Sequence, residues 1–182
     1  MPALIVLNGP PGSGKSTLAR MYVEEHPLAL NLDIDRIRSL IGGWRDAPDR
    51  SGLLARAIAL AAARTHLAAG HDVVIPQFLG RPRFLEQVER LADEVGAEFH
   101  EIVLLDSKEN TLRRFTGRSR AATDPAHVTA AEMLARSGGL DELSTMYDRL
   151  LAVIASRPTA RVVPTTDGRP GQAYQDFLKN LC

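Results

Sequence analysis

Cysteine is nearly missing from this 182-residue chain: the single one, Cys182, is the last residue and cannot close an internal disulfide. No cross-linked scaffold is therefore implied. An excess of one charge is missing too, since 22 basic residues balance 22 acidic ones. That argues against a strong overall field drawing in a nucleic-acid backbone or an anionic membrane, while leaving room for a local basic patch. Lysine is scarce: Lys15, Lys108 and Lys179 are the only three. The remaining cations are arginines, the side chain suited to a bidentate grip on phosphate or carboxylate. No apolar run approaches the length of a membrane span, and the N-terminal one is short and lacks the basic leader of a signal peptide. A cytoplasmic protein is the expectation. Internal repeats, low-complexity tracts and linkers are absent as well, so residues 1–182 form one domain, long enough to bury about 70% of the unfolded surface.

What is present converges on one stretch, Gly9-Pro10-Pro11-Gly12-Ser13-Gly14-Lys15-Ser16-Thr17. The apolar run Ala3 to Leu7 leads into it, and a helical pattern with Leu18, Ala19, Tyr22 and Val23 on one face leads out. Strand, glycine-rich loop and helix in that order satisfy the full G-x-x-x-x-G-K-[ST] pattern. Glycines let backbone N–H groups turn inward around a phosphate, and the new helix points its positive dipole end there. Lys15 is expected to reach the β- and γ-phosphates and the Ser16 hydroxyl to hold Mg²⁺. The implied ligand is ATP or GTP.

Along the chain, a residue before proline is pushed out of the α region, so His26-Pro27 ends the first helix. A second strand is expected at Leu28 to Leu32, and a helix opens at Asp33 with Ile34, Ile37, Leu40 and Ile41 at helical spacing, closed by Gly42-Gly43. Residues Trp44 to Gly52 read as a loop. A helix of about Leu53 to Ala69 is expected to cover a sheet with Leu53, Leu54, Ala57, Ile58 and Ala61. Val73 to Pro76 is a third buried strand, delivering Gln77, Phe78, Arg81 and Arg83 at its end. A helix with Phe84, Leu85, Val88, Leu91, Ala92 and Val95 follows. Glu98 to Leu105 is a fourth strand, ending at Asp106, which suits either a capping box with Glu109 or a metal ligand. From Leu112 to Thr129 the chain turns basic and reads as a flap carrying Arg113, Arg114, Arg118 and Arg120, with a lid at about 117–138. A helix bearing Leu140 to Ile154, a fifth strand at Ala160 to Pro164, a turn from Thr165 to Gly171 and a closing helix with Ala173, Phe177, Leu178 and Leu181 complete it. Five buried strands alternating with helices give a three-layer α/β/α sandwich on a parallel sheet. Ligands bind outside the carboxyl ends of such strands.

At those ends, Asp33 and Asp35 narrow the reaction. One carboxylate can face Mg²⁺ and its waters while the other orients an acceptor hydroxyl, as phosphoryl transfer to an alcohol requires. Either alone could instead cap the helix that begins there.

The P-loop, the D-x-D after the second strand, the arginine-rich segment after the fourth and the Thr165-Thr166-Asp167-Gly168 turn after the fifth together resemble the small P-loop kinases. That group includes shikimate kinase, gluconate kinase, chloramphenicol phosphotransferase and the zeta-toxin type kinases. The resemblance implies a P-loop NTPase fold with strand order 2-3-1-4-5, ATP and Mg²⁺ as cofactors, Asp35 as general base and Asp33 nearer the metal. It also implies that Arg114, Arg118 or Arg120 closes over the phosphates and that Asp167 and Gly168 lie against the adenine. Gln77 stands where many P-loop proteins place an acid, which leaves Mg²⁺ to Ser16 and Asp33. Asp35-Arg36-Ile37-Arg38 also resembles the D-x-x-R element of phage-type polynucleotide kinases, where the arginine grips a substrate phosphate; Arg38 could equally be a solvated surface residue. The expected acceptor is a hydroxyl of a small molecule such as a sugar, nucleoside or antibiotic, lined by Asp35, Arg38, Trp44, Gln77, Phe78 and Arg81. A polynucleotide 5′-hydroxyl is the alternative, disfavoured by zero net charge. A nucleotide-dependent switch ranks last, for the chain has no guanine-reading N-K-x-D sequence.

Overall fold

The computed structural model describes residues 1–121, 134–135, 138–165 and 169–181, without the side chains of 118–121. Its centre is a five-stranded sheet: β1 (Ala3–Asn8), β2 (Leu30–Asn31), β3 (Val73–Pro76), β4 (Glu98–Leu105) and β5 (Arg161–Pro164). The strands pair in parallel in the order β2-β3-β1-β4-β5. The fold is thus the α/β/α P-loop NTPase sandwich with the strand order the resemblance implied.

Alternation of side chains along a strand explains the two cores. Leu4, Val6, Val73 and Ile75 project into one, covered by α2 (Ile34–Ser39), α3 (Pro48–Ala68), α4 (Pro82–Val95) and, through Val153, α6 (Leu140–Ser156). Ile5, Leu7, Val74, Ile102, Leu104 and Val163 project into the other, covered by α1 (Lys15–Glu25) and α7 (Pro170–Lys179). The remaining described helix, α5 (Lys108–Ala121), follows β4. Strands buried on both faces need no polar alternation, which is why they stand out as apolar runs.

Several expectations shift. The α3 helix begins at Pro48, inside the stretch read as a loop, because proline suits a first helical turn. Its sheet-facing stripe is Ser51, Ala55, Ala59, Ala63 and Leu67, whereas Leu53, Leu54 and Ile58 are 66%, 54% and 47% exposed. Small residues four apart let the helix approach the sheet closely and turn the large ones outward. Strand β2 is reduced to two residues, since Leu28 takes a left-handed φ of 66° outside the ladder. Leu40 lies beyond the end of α2 and is exposed rather than packed. Strand β5 is an edge with Val162 turned to solvent. The segment read as a flap is helical from Leu112 to Ala121 as the continuation of α5. The rest of the expected lid, save Leu134, Ala135 and Gly138, lies outside the described residues. No described helix is long and apolar enough to cross a membrane.

Candidate active site

The loop of residues 9–14 joins β1 to α1 without a side-chain cap at the helix start. Three of its residues need glycine's freedom: φ is 151° at Gly9, 82° at Gly12 and 97° at Gly14. At Gly9 a Cβ would also lie 2.6 Å from the Leu104 carbonyl oxygen and 2.6 Å from Ser13 Oγ. Ser13 N–H closes a turn onto the Pro10 carbonyl at 3.1 Å. Its buried hydroxyl has no partner among the described residues. Lys15 Nζ donates to the carbonyls of Gly9 at 2.8 Å and Pro10 at 2.9 Å, so the ammonium lies across the loop. Ser16 follows on the exposed side of the first turn and Thr17 is half-buried.

Asn8 anchors this loop and was not foreseen. Fully buried at the end of β1, its Oδ1 accepts from Gly9 N–H and from Leu79 N–H, each at 2.8 Å, and its Nδ2 donates to the Leu79 carbonyl at 3.0 Å. A polar residue closing an apolar strand was the one signal available in the sequence.

The two carboxylates after β2 divide their work. Asp33 is the N-cap of α2, its Oδ1 accepting from Asp35 N–H at 2.9 Å and Arg36 N–H at 3.3 Å, while Oδ2 lies 3.7 Å from the Arg36 guanidinium. Asp35 is therefore released from capping. Its side chain is exposed, yet enough protein lies around it that its pKa is pushed upward, first through desolvation and next through the charge of Asp33. Arg38, Lys15 and a hydrogen bond from Gln77 act in the opposite direction. Exposure to water limits how far desolvation can act, and the net direction of the shift is upward. Gln77 stands near enough to Asp35 to favour its charged form, and its own Oε1 is buried without a partner among the described residues. The structure thus joins Asp35, Lys15 and Gln77 across the carboxyl ends of β1, β2 and β3.

Other predicted residues fall into place unevenly. Arg38 donates to Ser51 Oγ at 3.2 Å and to the Pro48 carbonyl at 3.0 Å, and it lies 5.4 Å from the centre of the Trp44 ring. Arg45 approaches the same ring at 4.5 Å. Arg38 and Trp44 thereby tie α2 to the start of α3. Phe78 and Arg81 line a separate cavity beside this cleft, together with Arg56, Arg83 and Arg149. Arg56 and Arg149, on α3 and α6, could not be recognised without the fold that brings them together.

The arginine candidates separate as well. Arg114, only 8% exposed, pairs with Asp106 Oδ2 at 2.5 Å and also donates to the carbonyl and hydroxyl of Thr165, each at 3.3 Å. That fixes it as a clamp between the ends of β4 and β5, not as an arginine carried on a flap. Asp106 in turn is not the cap of α5: Ser107 Oγ accepts from Asn110 N–H at 3.2 Å, and Asp106 Oδ1 accepts from Ser107 N–H at 2.6 Å and Asn110 Nδ2 at 3.0 Å. The side chains of Arg118 and Arg120, and all of Asp167 and Gly168, lie outside the described residues.

Among the described residues no group of three or more His, Cys, Asp or Glu is placed to hold a metal ion. Mg²⁺ does not need one, for it is commonly held through one or two protein ligands and substrate phosphates. Ser16 and Asp33 carry the oxygen donors such an ion takes, although the second oxygen of Asp33 lies 3.7 Å from the Arg36 guanidinium.

A model of the AAA domain family matches residues 4–143. No curated protein matches the chain. Among solved structures, a provisionally assigned kinase from Chloroflexus aurantiacus J-10-fl superposes with a TM-score of 0.65 at 21% identity, covering 99% of this chain and 96% of the other. A gluconokinase from Sinorhizobium meliloti 1021 superposes with a TM-score of 0.62 at 17% identity, covering 99% and 91%. At such identities the likeness is one of fold.

Proposed function

From the premise that the chain belongs to the AAA domain family, we propose that it is an ATP-dependent kinase that phosphorylates a hydroxyl of a small molecule. The observation carrying this reading is Asp35, a carboxylate freed from capping and set within the field of Lys15 at the mouth of the loop. Two kinases of the same fold add support.

In this reading the backbone N–H groups of residues 9–17 and the start of α1 hold the polyphosphate. Lys15 gives up its carbonyl contacts to bridge the β- and γ-phosphates. Ser16 and Asp33 would hold Mg²⁺, which would supply charge neutralisation for the phosphate oxygens. Asp35 accepts the proton of the acceptor hydroxyl, whose oxygen bonds to the γ-phosphorus as the bond to the β–γ bridging oxygen breaks and ADP leaves with that electron pair. The raised pKa of Asp35 makes it a better base than an ordinary carboxylate. Gln77 holds the carboxylate in place. Arg118 or Arg120 supplies charge over the transferring group, and Asp167 and Gly168 border the base of the nucleotide.

The test compares wild type, Lys15→Ala and Asp35→Asn for ATP-dependent thermal stabilisation and for transfer from γ-labelled ATP to a panel of hydroxylated metabolites and antibiotics. Lys15→Ala abolishes the stabilisation. Asp35→Asn keeps it and loses transfer by about 10²- to 10⁴-fold. Transfer by Asp35→Asn at the wild-type rate would remove Asp35 as the base.

A further inference from the structure

The outward face of α3 carries no charge. Between residues 53 and 67 only three side chains can ionise, Arg56, Arg64 and His66, and each is turned aside onto a neighbouring element. Arg56 lies 5.5 Å from the centre of the Phe84 ring on α4, Arg64 pairs with Glu94 on α4, and His66 Nε2 contacts the Leu28 carbonyl at 2.7 Å. With the buried stripe of the helix against the sheet, the residues left facing solvent are Leu53, Leu54, Ala57, Ile58, Ala61 and Thr65. They run on for more than three turns. The adjoining α4 shows the usual pattern, with Glu86, Arg90 and Asp93 exposed on its solvent side. A contiguous apolar surface left open in this way marks a place where another molecule packs.

The distribution of side-chain sizes says which molecule. Leu53, Leu54 and Ile58, the large ones, lie in the first half of α3, whereas Ala57, Ala61 and Thr65, the small ones, follow four apart toward its second half. Two such helices running in the same direction would set large against large and leave a gap between alanines. Turned antiparallel about a two-fold axis near residues 59 and 60, they fit. Leu54 of one copy then meets Thr65 of the other, and Ile58 meets Ala61, each contact occurring twice as two-fold symmetry requires. Ridges of residues four apart interlock, and alanine at the crossing lets the helix axes come within about 8 Å. Charge agrees with shape. Arg50, exposed one turn before Leu54 on the same ridge, comes opposite the last carbonyls of the other copy's α3, the negative end of that helix dipole.

We infer that the chain forms a two-fold dimer in which α3 packs antiparallel against the α3 of a second copy, through Leu54, Ala57, Ile58, Ala61 and Thr65. Leu53 and Ala57 also line the arginine-bearing cavity, so the second copy supplies part of its rim. Nothing in this association depends on the reaction assigned above.

The test uses the full chain. Sedimentation velocity between about 1 and 100 µM spans the weak end of the affinities that specific interfaces reach, and wild type is expected at twice the monomer mass toward the upper limit. Ala57→Glu and Ile58→Glu bury carboxylates in the seam and each weaken association about 100-fold or more. Arg90→Glu, on the exposed side of α4, leaves it unchanged, and melting temperatures recorded alongside check that the seam variants remain folded. Orientation is read with a short bismaleimide in a Cys182→Ser background. Ala61→Cys links to its own copy, while Leu53→Cys, held about 20 Å from its counterpart in the antiparallel arrangement, links only when mixed with Thr65→Cys. A monomer at every concentration, association unchanged by both seam carboxylates, or self-linking of Leu53→Cys as efficient as that of Ala61→Cys would overturn the inference.

Discussion

The phosphate cradle and the acceptor side of the cleft are built by opposite means. In the cradle most of the described contacts are local: Lys15 reaches Gly9 and Pro10, Ser13 closes onto Pro10, and the glycines set the turn. The exceptions are the Asn8 bonds to Leu79 and the close approach of Leu104 to Gly9. On the acceptor side almost nothing is local. Asp35 depends on Gln77, Arg38 on Ser51, and the cavity gathers side chains from α3, α4 and α6. A local site keeps its function under many changes elsewhere in the chain, whereas a dispersed one can change its ligand by single substitutions. That difference suits an enzyme group with a fixed donor and varied acceptors.

The comparison can be broken at named residues. The largest effect is expected at Arg114, where truncation to Ala strands Asp106 beneath Thr165; losing one partner of a buried pair costs about 3 kcal/mol or more. Urea unfolding measures it, and a loss below about 1 kcal/mol would show that the pair is dispensable. Next comes Asn8→Ala, which leaves Gly9 N–H, Leu79 N–H and the Leu79 carbonyl without their partner, at about 2 kcal/mol. Because Asn8 holds the first glycine of the loop as well as Leu79, calorimetry should also show weaker ATP binding; unchanged ATP binding would confine its role to stability. Arg38→Ala removes two hydrogen bonds and a ring contact near the surface, about 1 kcal/mol. It also removes a charge that lowers the Asp35 pKa, so the acid limb of the transfer rate profile moves to higher pH. A limb left in place would mean that Asp35 does not set it.

The smallest effect concerns stability and pH. The carboxyl of Asp35 titrates higher in the folded protein than in the unfolded chain, so the folded state binds its proton more tightly. Its favourable contribution is full below the ordinary carboxyl range and is lost as pH rises through the elevated value. Asp35→Asn therefore raises the melting temperature at about pH 7 and leaves it nearly unchanged at about pH 3, where the acid is neutral in both states. An equal shift at both would assign the effect to packing instead of charge.

How much the sequence discloses follows the same division. β1, the loop and α1 are legible because the glycine spacing, the lysine and the flanking periodicities all lie within one short stretch. The buried strands are legible as apolar runs, although Glu101 in β4 is 2% exposed; Arg157 binds it and reaches Glu89 at 2.8 Å. The sheet-facing side of α3 is misjudged because periodicity weights large side chains, while close helix–sheet contact selects alanines. Asp106 and Arg114 are misassigned because charged residues suggest chemistry, and only tertiary placement reveals that they neutralise each other. The arginine-lined cavity is illegible for a simpler reason: no pattern within α3 or α6 announces that Arg56 and Arg149 face a common space.

The amide of Asn8 leaves the two halves of the enzyme sharing a single rivet. The first glycine of the cradle and the backbone of Leu79 hang from the same amide, so neither can be displaced without tugging the other. A change at that amide is therefore felt on both sides at once.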